Sequence, residues 1–177
     1  AHTGQGDTAG FLHGFVHPAG GLDHVLAMVA VGLFAYVLGG RALWLVPLSF
    51  VSMMAAGFVL GANAVDLPFV ELGIALSSIV IGGAAALGRP MHIAGAMALV
   101  GSFAVFHGHA HGAEMPADAS GLFYAAGFVA ATALLHAAGI LAAFGGAQAL
   151  GKFGWRLAQI AGGAFALGGL GILAGWF

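Results

Sequence analysis

Two short strings hold most of the ionisable side chains in an otherwise apolar chain. The first, HGFVHPAGGLDH, sets His13, His17, Asp23 and His24 around a Pro-Gly-Gly sequence. His13 and His17 are four residues apart and share a helix face, and the break that follows can fold Asp23 and His24 back toward His17. Imidazole and carboxylate are borderline ligands suited to nickel, cobalt or zinc, so His17, Asp23 and His24 together read as a metal site. Asp23 has a second reading as the N-cap of the next helix, and one histidine has a second reading as an interior hydrogen-bonder. The second string, FHGHAHGAE, carries His107, His109, His111 and Glu114. His107 and His111 lie one turn apart on one face, a spacing that can chelate an ion, while His109 points elsewhere if the helix continues. Gly108 stands where a zinc protease helix has its glutamate, so the string is not HExxH. Its alternative is a solvated, histidine-rich loop end that collects ions weakly.

Two isolated polar residues extend the pattern. Glu71, in PFVELGIAL, falls one turn inside a predicted span; it is either an acid favoured by the helix dipole or a ligand level with the two strings. His136, in ATALLHAAGI, lies deep in a later span, as a core hydrogen-bonder or as a station on an ion path. Together these groups trace a line inward: Asp118 and Glu114, then His17, Asp23, His24, Glu71, His107 and His111, then His136. His13 and His109 are further candidates for the path. A permeating cation needs sites that bind strongly enough to desolvate it and weakly enough to let it go.

The elements that must position these residues follow from composition. Of 177 residues, 61% are hydrophobic and 6% charged, and the mean hydropathy is +1.04. That leaves too little polar surface for a water-soluble globule. A spanning helix needs roughly 20 apolar residues. The chain accordingly divides into about six spans, near 11–39, 43–62, 68–88, 91–110, 120–144 and 157–177. The expected fold is an all-α polytopic bundle forming a single transmembrane domain over 1–177, with a short outer segment at 1–10. The first span is broken at Pro18–Gly21, and a broken helix at membrane depth is tolerated only where it lines a cavity or is covered by protein. The 32 glycines suit helices that approach closely in lipid.

Several functions are excluded. With no cysteine, thiolate metal sites and disulfides cannot form. A net charge of −2 with four basic residues offers no nucleic-acid surface, and no GxxxxGK[ST] string is present to use ATP. Trp44, Tyr124, Trp155 and Trp176 are expected as interfacial anchors, and Met28, Met53, Met54 and Met97 as core fillers. Arg41, Arg89, Lys152 and Arg156 all fall in the first, third and fifth connections. The positive-inside rule then puts those loops in the cytoplasm and both termini outside, with Asp7, Asp66, Glu114 and Asp118 on the outer side. The chain starts without methionine on a polar run. This points to a signal peptide already removed, a boundary of other origin being the alternative.

The strings GFLHGFVHPAGGLDHVLAMVAVG, FAVFHGHAHGAE and YAAGFVAATALLHAAGI together resemble the HupE/UreJ family of bacterial membrane proteins associated with hydrogenase and urease, over nearly the whole chain. The resemblance implies a nickel or cobalt permease of about six helices in the bacterial inner membrane, with a cleaved signal peptide. It gives weight to His17, Asp23, His24, Glu71, His107, His111 and Glu114. On this reading the chain is not an enzyme and holds no prosthetic group; its partners are the lipid bilayer and a divalent ion as substrate. Two rival classes are an intramembrane zinc-dependent hydrolase, using the metal to activate water, and a metal sensor or chaperone that binds without flux. The orientation is testable in this cysteine-free chain: Asp66→Cys and Asp118→Cys should react with an impermeant thiol reagent in intact cells, and Lys152→Cys should not. The reverse labelling pattern would invert the topology.

Overall fold

The computed structural model describes residues 5–116 and 119–176; Asp118 lies outside the described residues. Helix α1 (Gln5–Val16) runs into a 3-10 turn at His17–Gly20, and α2 (Leu22–Leu38) leaves it at an angle of 87°. This is the expected break, since Pro18 cannot donate a backbone hydrogen bond and Gly20 and Gly21 do not favour helix continuation. The remaining helices are α3 (Ala42–Ala62), α4 (Val70–Leu87), α5 (Ile93–Ala113), α6 (Gly121–Leu150) and α7 (Gly154–Leu173). No strand occurs among the described residues. α1 already begins at Gln5, so residues 5–10 of the short N-terminal segment are helical. Five helices among the described residues are long and apolar enough to cross a bilayer, six if the bent pair α1–α2 is counted as one broken span rather than a re-entrant loop.

Glycine determines which helices touch. Gly57 and Gly61 of α3 lie directly under the carbonyls of Val105 and His109 on α5, while Gly108 and Gly112 of α5 lie under those of Met54 and Phe58 on α3. The two backbones are in contact, with no room for a Cβ on either side. The same reciprocal arrangement joins α1 to α6 through Gly14 and Gly127, α2 to α6 through Gly32 and Gly139, and α4 to α7 through Gly82 and Gly162. α6 therefore grips both halves of the broken span. It has 30 residues against 18 in α4 and runs six residues past the expected end at 144, continuing through Gly145 and Gly146 as far as Gly151, which takes a left-handed φ of 54°.

The interior is filled by Phe34, Phe50, Met28, Met54, Tyr124, Phe128, Ile74 and Ile81. Trp44, Trp155 and Trp176 are exposed as anchors should be, but Tyr124 is only 1% exposed. Its expected interfacial role is therefore corrected: position near a span end does not reveal which way the helix face points. His92 is exposed and caps α5, its Nδ1 accepting the Ala94 N–H at 3.3 Å.

The close α3–α5 contact can be tested with one pair of substitutions. Gly108→Ala puts a methyl group into the Met54 carbonyl and should cost about 1–3 kcal/mol through overpacking. Gly83→Ala faces open space and should be neutral or slightly stabilising. Thermal unfolding in detergent measures both.

Candidate metal centre

The helix break and the end of α5 bring the two histidine strings together. His24 packs edge to face against His107, with ring centroids 4.7 Å apart, and against His111 at 4.9 Å. His17 meets His111 at 5.0 Å, and its Nε2–H donates to Glu114 Oε2 at 2.8 Å. Reading inward, the order is Glu114 and His17, which are exposed, then His111 and His24, then His107, which is fully buried. The outer end opens into a cleft of about 310 Å³ lined by His17, Gly20, Gly21, Asp23, His24, His111 and Glu114. A neighbouring cleft of about 240 Å³ is lined by His13, Val16, His17, Glu114, Pro116 and Tyr124.

Local sequence explains how each ring is held. Gly21 has φ −111° and ψ 120°, an extended conformation open to any residue, so glycine is needed here for space. A Cβ at this position would stand 2.7 Å from Asp23 Oδ1 and 3.1 Å from His24 Nδ1. Asp23 sits in the first turn of α2, behind the Gly21 cap position, and its Oδ1 accepts both the His24 backbone N–H at 2.8 Å and the His24 ring at 3.1 Å. Because a carboxylate only accepts, the His24 proton is on Nδ1 and the lone pair is on Nε2. Asp23 thus orients the His24 ring, in the way that carboxylates behind metal-binding histidines commonly do.

His107 is oriented by a residue the sequence did not single out. Ser77 of α4 spends its single hydroxyl proton on the Ile74 carbonyl at 2.5 Å and so accepts from His107 Nε2–H at 2.8 Å. The lone pair of His107 is left on Nδ1. A serine in an apolar span usually bonds its own helix carbonyl, so only the presence of a histidine opposite could have marked it. The nitrogens left over are all buried and unpartnered among the described residues: His24 Nε2, His107 Nδ1 and both nitrogens of His111. His111 stacks on Phe128 at 5.0 Å with an interplanar angle of 10°. Leaving such groups unpaired in a low-dielectric interior costs several kcal/mol each.

Four other residues considered from sequence stand outside this group. Glu71 is exposed in the first turn of α4 and makes no hydrogen bond or ion pair to the cluster among the described residues; α4 contributes Ser77 instead. His109 turns away, donating from Nε2 to the Val65 carbonyl at 2.7 Å. His13 is exposed at the rim, and His136 lies deeper, beyond the ring of Phe50. No three histidine, aspartate or glutamate side chains among the described residues surround a single point in coordination geometry. The rings are edge to face, at 88° and 69°, and the carboxylates are turned onto their own histidines. Simultaneous coordination requires ring rotation, for which the adjoining cleft has room.

Fold and site together define a multi-pass helical membrane protein built around a column of imidazoles. The chain belongs to the HupE/UreJ family: the family described as HupE / UreJ protein matches residues 1–172. It is 46% identical to Protein HupE of Rhizobium leguminosarum bv. viciae over 175 residues, covering 99% of this chain and 90% of that protein. No solved structure matches it.

The tautomer assignment is directly measurable. Ser77→Ala leaves the His107 ring N–H without its acceptor and should cost about 1–3 kcal/mol, with the ring ¹⁵N resonances of His107 shifting as the proton redistributes. Ser77→Thr should restore the native spectrum. If Ser77→Ala leaves the His107 resonances unchanged, the serine does not set the tautomer.

Proposed function

We propose that this protein carries a divalent transition-metal ion, nickel first and cobalt or zinc as alternatives, across the bacterial inner membrane. The single observation behind this reading is the continuous column of histidines, with unpartnered nitrogens, leading from an exposed carboxylate-bearing vestibule toward the middle of the bundle. Neutral imidazole selects borderline ions over magnesium and calcium, and cysteine is absent, which removes the thiolate that favours copper(I). Asp23 and Glu114 supply the negative charge that a divalent cation needs when it sheds water. The family resemblance, with its association with hydrogenase and urease, puts nickel ahead of the others.

In this mechanism the ion leaves solvent at Glu114 and His17, on the outer side where both termini lie. It passes to His111, His24 and His107 as those rings turn toward it. Each step exchanges one or two ligands, so no single position holds the ion in a closed tetrahedral or octahedral cage. A hydrolase would need a free carboxylate beside a metal-bound water, whereas Asp23 and Glu114 are both engaged with histidines.

Liposomes containing only this protein should take up Ni²⁺ saturably. His24→Ala and His111→Ala should lower the uptake by about two orders of magnitude, in line with the loss of primary ligands. Tight Ni²⁺ binding without uptake in the wild type would refute transport and leave a sensor or chaperone.

A further inference from the structure

α3 and α6 meet along an antiparallel seam with a regular register. Phe58 faces Phe128 at 5.1 Å, Met54 faces Thr132, and Phe50 faces His136 at 5.1 Å and 89°; each step is one helical turn. Within this seam Met54, Thr132 and His136 are all buried. The Thr132 hydroxyl donates to the Met54 thioether at 3.6 Å, a weak acceptor for a buried hydroxyl. Both His136 nitrogens are without a partner among the described residues. In apolar surroundings that arrangement costs several kcal/mol unless something occupies it. His136 also lines a cleft of about 420 Å³ between α3 and α6, whose walls include Leu43, Trp44, Pro47, Ala133 and Ala137. Phe50 touches His107 of the outer cluster on one side, at 5.6 Å, and His136 on the other.

We propose that His136, Met54 and Thr132 form a second, inner station for the same divalent ion, separated from the outer cluster by the ring of Phe50. This rests on the transport reading and gives it a release step. The donor set is an imidazole nitrogen, a thioether sulfur and a hydroxyl oxygen, all neutral. Without a carboxylate the ion is held weakly, which suits release toward the inner end of the bundle. The mixed nitrogen and sulfur character also excludes hard ions that demand all-oxygen shells. An ion reaches the station when Phe50 swings aside. Met54, a core filler by sequence, here has a ligand's role.

The test separates binding from flux. His136→Phe and Met54→Leu, the second nearly conserving volume, are compared with wild type in two assays: equilibrium binding of ⁶³Ni²⁺ to detergent-purified protein, and ⁶³Ni²⁺ uptake into liposomes. The station predicts that binding, which the outer cluster dominates, stays at the wild-type level in both variants, while uptake falls by about an order of magnitude. Unchanged uptake in both variants would remove His136 and Met54 from the path and leave transport itself intact. Parallel loss of binding and uptake would mean that these residues support the outer cluster and form no separate station. If the wild type takes up no nickel, the transport reading fails, and the inner station fails with it.

Discussion

Unpartnered imidazole nitrogens inside a bundle surrounded by lipid are the constraint on which the rest of this structure depends. In water such groups are satisfied at no cost, but in a low-dielectric interior each one is a liability of several kcal/mol. His24 and His107 each have one nitrogen engaged by a neighbour, Asp23 or Ser77, and the other left bare. Partial satisfaction of this kind is hard to explain as packing, since a phenylalanine would fill the same volume without penalty. Under the proposed transport reading it is straightforward, as a ligand shell for a passing ion with the proton on each ring directed away from the free lone pair.

Such a shell has to be held in place by helices that do not drift. In the α3–α5 pair, Gly108 and Gly112 sit one residue after His107 and His111, so the contact that locks α5 against α3 also fixes the direction of the two rings. α4 is positioned through its own glycine contact with α7, and from there Ser77 reaches His107. The histidines therefore inherit their geometry from backbone contact several residues away. That is why so many glycines are compatible with stable helices here, whereas in water each would cost up to about 1 kcal/mol.

The break at Pro18–Gly21, the pairing of His107 with His111 and the divergence of His109 were legible because each depends on local backbone chemistry or helical period. Azimuth was not legible. Tyr124 and Glu71 are both near span ends, yet one is buried in the core and the other exposed, since a uniformly apolar helix has no polar face to show its orientation. Ser77 was hidden for the same reason, and Thr132 and Met54 drew attention only once the α3–α6 register was known. α6 continues past 144 through Gly145 and Gly146, a pair that by sequence favours a helix end and that packing in the bundle overrides. Depth along the membrane normal can be counted in residues; rotation about a helix axis is settled by neighbours.

α6 and α4 differ in length by 12 residues, or about 18 Å of helix. The hydrocarbon layer is only about 30 Å thick, so α4 barely spans it and α6 overshoots. Both belong to one tightly packed body, and they cannot adjust to the bilayer independently. The lipids must therefore do the adjusting, thinning beside α4 while α6 tilts or projects. Since α6 also grips both limbs of the broken span, bilayer thickness becomes a mechanical load on the helix break beside which the two histidine strings meet.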